Sequence, residues 1–234
     1  MQGFSGFTGA LYSTTEWIMR FSVVNILWLI INLPIAIILL SLYVNSFSIE
    51  FVAYYVPLIL LVPILFVPST MGLFAMARDW VLKIEHPSLM RAYFSYMISN
   101  YKKSSIAGLM LTFVWVIWIM DFYFFANEND LLLMVISILG VVLFVCTVNF
   151  FSLNVHFQMS IRELLKNTFF VTIGSPLLFL LILLINFLLL YLSVTKLIFM
   201  FPLFTGSLSA FVSFTIFYRF TLKIQEKALV NKSN

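Results

Sequence analysis

The chain has 234 residues, of which 63% are hydrophobic and only 9% charged, against roughly a quarter charged in ordinary soluble domains. So few charges cannot furnish a water-facing shell, which excludes a soluble globular enzyme or binding module and makes lipid the natural solvent. The formal net charge of +4 comes from basic residues scattered along an apolar chain, the pattern of membrane-protein loops rather than of a nucleic-acid footprint, so no nucleic-acid partner is expected.

The opening MQGFSGFTGALYSTTEW has no basic residue ahead of a short apolar core, so a cleaved secretory signal is not expected. No Ser/Gly-rich linker or charge block divides the chain, and residues 1–234 read as a single transmembrane domain. Crossing a hydrocarbon core of roughly 30 Å takes about 20 apolar residues in a helix. Such stretches fall at 21–44, 51–77, 106–126, 131–156, 175–194 and 197–219. Their apolar runs are continuous, whereas a barrel strand would alternate polar and apolar residues. The expected fold is therefore all-α, a polytopic bundle of six spans with short cytoplasmic amphipathic helices.

In the first span Asn25 and Asn32 lie seven residues apart, two helical turns, and share a face. The second span contains Pro57, Pro63 and Pro68, the last within Pro68-Ser69-Thr70. Each proline removes a backbone hydrogen bond, so a kink or break is expected around Pro63, Pro68, Ser69 and Thr70. Broken spans expose backbone groups to substrate in transporters, while a simple packing kink is the alternative, because transmembrane helices tolerate proline. Residues 88–101 place Leu89, Met90, Tyr93, Phe94, Met97, Ile98 and Tyr101 on one side and Arg91, Ser95 and Ser99 on the other, which reads as a helix in the membrane interface. Lys102 and Lys103 follow, suited to acidic headgroups.

Asp121 falls near the outer end of the third span. The fourth holds Cys146, the only cysteine, which rules out an internal disulfide. Asn149, Ser152 and His156 follow at i, i+3 and i+7 and share a face. Together with Asn25 and Asn32 they occupy the inner half of the membrane. Two readings stand: an interhelical hydrogen-bond network worth roughly 0.6 kcal/mol per contact, or the lining of a polar cavity open to the cytoplasm. A proton relay through His156 would need an acid at matching depth, and Asp121 lies too far out.

Ser160-Ile-Arg-Glu163 is a capping box and starts a helix. Ile161, Leu164, Leu165 and Phe169 form its apolar side, and Arg162, Glu163 and Lys166 are candidates for docking a cytoplasmic partner, as coupling helices of ABC-type permeases do. The alternative is that the helix only seals the bundle at the lipid surface. Gly174 and Ser175-Pro176 end this helix and open the fifth span. Asn186 reads as packing. Pro202 and Gly206 interrupt the sixth span, and no internal repeat is evident.

Lys and Arg are retained on the cytoplasmic side of membranes. Connectors 45–50 and 127–130 carry no basic residue and 192–197 only Lys196, while the other twelve of thirteen fall on the opposite side. Both termini are accordingly expected in the cytoplasm, with Glu50, Glu128 and Asp130 outside. Nucleophile elbows, zinc-protease motifs, phosphate loops and paired intramembrane carboxylates are all missing from the sequence. No enzymatic activity, metal or cofactor is expected.

Asn25-Ile-Leu-Trp28 leading to Leu33-Pro34, then Pro68-Ser-Thr70 with Phe74, Arg78 and Trp80, then Phe94 with Asn100 and Lys103-Ser104, resemble the YesL-like family of bacterial integral membrane proteins. The end of the fourth span, with His156, Ser160 and Leu164-Leu165-Lys166-Asn167, is similar too. The resemblance implies a multi-pass protein of the bacterial plasma membrane with no catalytic residues. It also implies a role beside carbohydrate uptake, with a sugar ABC-type importer or its ATPase as partner. A permease subunit of such an importer and a structural or lipid-sensing protein are the alternatives.

Overall fold

The computed structural model describes residues 7–45, 52–126 and 130–233. It is about 90% helical, with no strands among the described residues. Among the described residues six helices are long and apolar enough to cross a membrane: Leu11–Ile31, Ala53–Val81, Tyr101–Phe125, Asp130–His156, Pro176–Thr195 and Phe201–Lys227. The acidic connectors expected outside, with Glu50 and Glu128, lie outside the described residues.

The first two helices, α1 (Phe7–Ile31) and α2 (Leu33–Val44), form one kinked rod. Pro34 has no N–H to continue the ladder, but Asn32 N–H bonds Trp28 O at 3.1 Å and Ala36 N–H bonds Asn32 O at 3.0 Å, so the chain bends without unwinding. The expected span 21–44 thus comprises the end of α1 and all of α2, whereas the stretch that qualifies by length and hydropathy is Leu11–Ile31. Side-chain contacts fix the depth: Trp17 and Phe21 pack against Trp80, and Asn32 meets Ser69.

The second span is α3 (Val52–Leu61), a π turn (Val62–Phe66) and α4 (Val67–Val81). Pro63 is the second residue of that turn. The sixth span repeats the device: a π turn (Phe201–Thr205) with Pro202 second precedes α10 (Gly206–Ser233). A π turn widens the helix by one residue and leaves its carbonyls poorly paired, so both prolines sit where the ladder is already loosened. Between these spans come α5 (Leu89–Ser99), α6 (Tyr101–Phe125), α7 (Asp130–His156), α8 (Ile161–Gly174) and α9 (Pro176–Thr195). The third and sixth spans outrun their expected bounds, because charged turns carrying Lys102, Lys103, Lys223 and Lys227 continue the helices beyond the apolar stretch.

Helix α4 is the axis of the bundle. Every residue from Val67 to Ala77 is buried, packed by α10, α5, α7 and α6. Small side chains permit the close approaches: a Cβ on Gly72 would stand 3.2 Å from the Tyr93 ring, and one on Gly108 2.9 Å from Val67. Apolar side chains facing away from this core, such as Leu40, Phe113, Met134, Leu184 and Phe187, are exposed, as lipid-facing surfaces require. Contacts among Trp17, Phe21, Trp80 and Phe211, and between His156 and Tyr218, gather the ends of α1, α4, α7 and α10 at one end of the bundle. Arg20, Arg78, Lys103 and Arg162 belong to this end, called here the basic end.

The two short helices differ in posture. Ser88 caps α5 by accepting from Arg91 N–H at 3.4 Å. Tyr93 anchors α5 to α4 by donating to Ser69 O at 3.0 Å, leaving Met90, Phe94 and Ile98 exposed. Helix α8 starts at the basic end and runs back along α7, so that its Thr172 meets Asn149. Asn149 lies seven residues before the end of α7, a rise of roughly 10 Å. Leu164, Thr168 and Thr172 face α7, and Phe169, Phe170 and Ile173 face out.

Candidate binding site at the basic end of the bundle

The polar residues anticipated in the spans form separate networks. Asn25 is fully buried. Its Nδ2 donates to Pro202 O at 2.7 Å and Phe201 O at 3.2 Å, and its Oδ1 accepts from Ser207 N–H at 3.0 Å. Pro202 and Ser207 are five residues apart, the π spacing. The Asn25 amide therefore sits between a carbonyl and an N–H of the sixth span and bridges them across the turn. Gly206 makes room for it, since a Cβ there would lie 2.9 Å from Asn25 Oδ1.

Asn32 donates to Ser69 Oγ and to Trp28 O, both at 2.8 Å, and Trp28 Nε1 donates to Thr70 Oγ1 at 3.0 Å. Ser69 Oγ donates in turn to Phe66 O at 3.1 Å. Pro68 frees the carbonyl four residues earlier, and the Tyr101 hydroxyl takes it, donating to Ile64 O at 3.1 Å. The segment Pro63, Pro68, Ser69, Thr70 is thus bent, with these polar groups satisfied by neighbouring helices. Asn149 donates to Thr172 Oγ1 at 3.0 Å, and the Ser152 hydroxyl donates to Val148 O at 3.2 Å within its own helix. No hydrogen bond among the described residues joins the Asn25–Asn32 stripe to the Asn149–Ser152 stripe. His156 leaves the second stripe altogether, its ring packed against Phe157, Phe214 and Tyr218. Asn186 bonds Ser213 Oγ at 2.9 Å and accepts from Ser209.

Two chambers lie along the α4–α7 seam. An apolar one of about 530 Å³ is walled by residues including Trp28, Phe66, Leu111, Trp115, Phe144 and Phe201. The other, of about 640 Å³, lies at the basic end and is lined by Arg78, Tyr96, Ser99, Asn100, Lys103, Ser104, Asn154, His156 and their neighbours. Phe74 and Phe151 stack at 5.3 Å on the seam; both line the apolar chamber, while Met71 and Ala75 on α4 and Asn154 and Val155 on α7 line the basic one. Among the described residues no carboxylate lines the basic chamber.

A cluster that the sequence did not announce orients this wall. Asp79 is fully buried. Its Oδ1 accepts from Arg78 Nε at 3.0 Å and Nη2 at 2.8 Å. Its Oδ2 meets His86 Nε2 at 2.7 Å and accepts from the Tyr96 hydroxyl at 2.5 Å. Arg78 Nη1 donates to Val155 O at 2.6 Å, and the guanidinium lies over the Tyr96 ring at 5.4 Å. Burial raises the Tyr96 phenol above its ordinary range, and its hydrogen bond to Asp79 adds to the shift. His86 reaches the cluster because Lys83, at φ 59°, reverses the chain after α4. Ile84 N–H bonds Asp79 O at 2.8 Å and Lys83 N–H bonds Trp80 O at 3.3 Å, a Schellman turn made without glycine. The readable signal was Arg78-Asp79 ahead of His86 at the close of an apolar span, an acid beside its own counter-ion.

The docking candidates Arg162, Glu163 and Lys166 are exposed on the first turns of α8. Ser160 N–H donates to Glu163 Oε2 at 2.9 Å and Glu163 N–H donates to Ser160 Oγ at 3.4 Å, which completes the capping box. The Ser160 backbone N–H, and after it the hydroxyl, hold the Glu163 carboxyl below its ordinary range. No group of residues able to hold a metal ion occurs among the described residues.

Residues 21–122 match a family model described as a protein of unknown function, DUF624. That stretch contains Arg78, Asp79, His86, Tyr96 and Lys103, and it excludes the α7 wall with Asn154 and His156. No curated protein and no solved structure matches the chain.

Proposed function

We propose that the chain is a non-enzymatic multi-pass protein of the bacterial plasma membrane, both termini cytoplasmic, that takes part in or assists solute uptake by holding a solute in the basic chamber. The observation that carries this reading is the chamber itself. It is a half-open cleft of about 640 Å³ between α4, α5, α6 and α7, and side-chain amides, hydroxyls and basic groups converge on it, as in ligand sites. The twelve basic residues on one side of the spans support an orientation with that chamber toward the cytoplasm. A hydroxylated solute such as a carbohydrate or its derivative suits Ser99, Asn100, Ser104 and Asn154.

The test is uptake of labelled sugars by cells lacking the protein and complemented with wild type or with Asn100→Leu/Asn154→Leu. Uptake falls with the double variant at equal protein abundance; unchanged uptake overturns the reading. Orientation is tested in a Cys146→Ser background. Lys196→Cys reacts with an impermeant maleimide in intact cells and Arg162→Cys only after permeabilisation, and the reverse pattern overturns the layout.

A second reading, a permease subunit of an ABC-type importer, is favoured by the exposed Arg162, Glu163 and Lys166 on a capped turn. Crosslinking from Arg162 in native membranes captures an ATPase if it holds.

A further inference from the structure

We infer that the basic chamber is an anion site whose ligand is a phosphate group, carried by a soluble phosphomonoester or by the headgroup of an anionic lipid. The inference rests on the reading of this chamber as the solute site and names the chemistry of what it holds.

Three observations carry it. First, the charge on the wall has one sign. Arg78 and Lys103 are the charged residues that line the chamber, and among the described residues no carboxylate does. Asp79 stands behind Arg78, fully buried, with Oδ1 taken by Arg78 and Oδ2 by His86 and Tyr96. Second, the donors are unspent. Arg78 uses three of the five N–H groups of a guanidinium, two toward Asp79 and one toward Val155 O, so two remain. Among the described residues no hydrogen bond engages the Lys103 ammonium, and the Asn100 side chain makes no cap bond to α6 although it stands at that helix's start. The 25-residue α6 adds the positive end of its dipole to the same wall. Third, the Arg78 guanidinium is immobile before any ligand arrives, pinned by Asp79 and Val155 O and laid over the Tyr96 ring.

A carboxylate offers two oxygens. A phosphate group offers three or more with up to two charges, which suits acceptance from Arg78, Lys103 and Asn100 together. A neutral sugar would leave the Lys103 charge uncompensated in a partly buried wall.

The test uses the full chain purified in detergent and, separately, in nanodiscs. Thermal unfolding is followed with inorganic phosphate, glycerol 3-phosphate and glucose at constant ionic strength, then in nanodiscs of phosphatidylcholine with and without phosphatidylglycerol. The proposal expects stabilisation by phosphate or glycerol 3-phosphate, or by phosphatidylglycerol, and none by glucose. Stabilisation by glycerol 3-phosphate that phosphatidylglycerol does not weaken identifies a soluble ligand; competition between the two identifies the headgroup.

Lys103→Gln, a half-exposed position whose substitution leaves the core intact, weakens binding by roughly tenfold or more, the loss of one charge-assisted contact, whereas Lys102→Gln next door leaves it unchanged. Equal affinities for wild type and Lys103→Gln overturn the proposal, as does absence of stabilisation by every phosphate probe. Stabilisation by glucose alone sinks the phosphate assignment and spares the uptake reading; phosphate binding with uptake unaffected by Asn100→Leu/Asn154→Leu does the opposite.

Discussion

Replacing Asn25 with leucine tests whether a side-chain amide completes the backbone of another helix. The substitution keeps the volume and removes one NH₂ that serves Phe201 O and Pro202 O and one carbonyl that serves Ser207 N–H. At a fully buried site, each backbone group left without a partner costs about 1–3 kcal/mol, so losing the two shortest contacts, to Pro202 O at 2.7 Å and Ser207 N–H at 3.0 Å, costs about 2–6 kcal/mol. Measured side-chain contacts between membrane helices average only about 0.6 kcal/mol, because the unfolded chain in lipid finds other partners. The larger figure governs here, since Pro202 has already removed one bond of the ladder and the Asn25 amide bridges Pro202 O and Ser207 N–H within the same turn. Partial tightening of the turn recovers some of the loss, and the expected destabilisation is about 2–4 kcal/mol. Reversible unfolding in mixed micelles gives this number, and hydrogen exchange reads the Ser207 amide directly. Asn25→Asp keeps the acceptor and loses the donor, so Ser207 stays protected while stability falls. A cost for Asn25→Leu below about 0.6 kcal/mol, with Ser207 protection unchanged, would refute the reasoning.

Gly140→Ala drives a Cβ to 2.3 Å from the Trp118 ring, whose Nε1 donates to Ile136 O at 2.8 Å; over-packing costs about 1–3 kcal/mol, seen in the same unfolding assay. Lys83→Gly relieves a left-handed residue and raises stability by roughly 0.5–1 kcal/mol, the αL strain less the added freedom of the unfolded glycine; a loss of stability would contradict the Schellman geometry. Glu163 has a depressed pKa, so its contribution is present above the ordinary carboxylate range and is lost as pH falls through the depressed value. Ser160→Ala removes the hydroxyl that helps hold it, and carboxyl NMR of Glu163 shows its midpoint moving up toward the ordinary value; no movement would contradict the capping box.

The spans were legible because each is a continuous apolar run and the charges sort to one side, both of which are properties of the sequence alone. The capping box was legible for a similar reason: Ser160 and Glu163 are three residues apart and the interaction is local. Asn25 and Asn32 are both buried, yet neither partner could be read. The residues that meet Asn25 lie 176, 177 and 182 positions away, and only the packing order of the helices brings them near. Asp79 was hidden by a different cause. Its partner His86 arrives through a left-handed turn at Lys83, a residue that ordinarily avoids that conformation, so no turn signal marked the reversal. Tyr96 is presented by a separate helix.

Polar residues in a membrane bundle either join helices or serve a ligand, and the use of their hydrogen-bonding capacity distinguishes the two. Asn25 and Asn186 each use both ends of the amide on neighbouring helices, and Ser193 meets Thr205; these are joints. Asn32 and Asn149 each leave a buried Oδ1 without a partner, but neither lines either chamber, so the deficit is a local strain and marks no site. Lys103, Asn100 and part of Arg78 are also unspent, and they surround a void. Asp79 accounts for the difference between a merely basic wall and a prepared one. By fixing the guanidinium during folding it removes the ordering cost that a flexible arginine would bear on binding. A ligand therefore meets a donor array already in place, where Asp79 stands behind Arg78 and the Arg78 and Lys103 charges face the space.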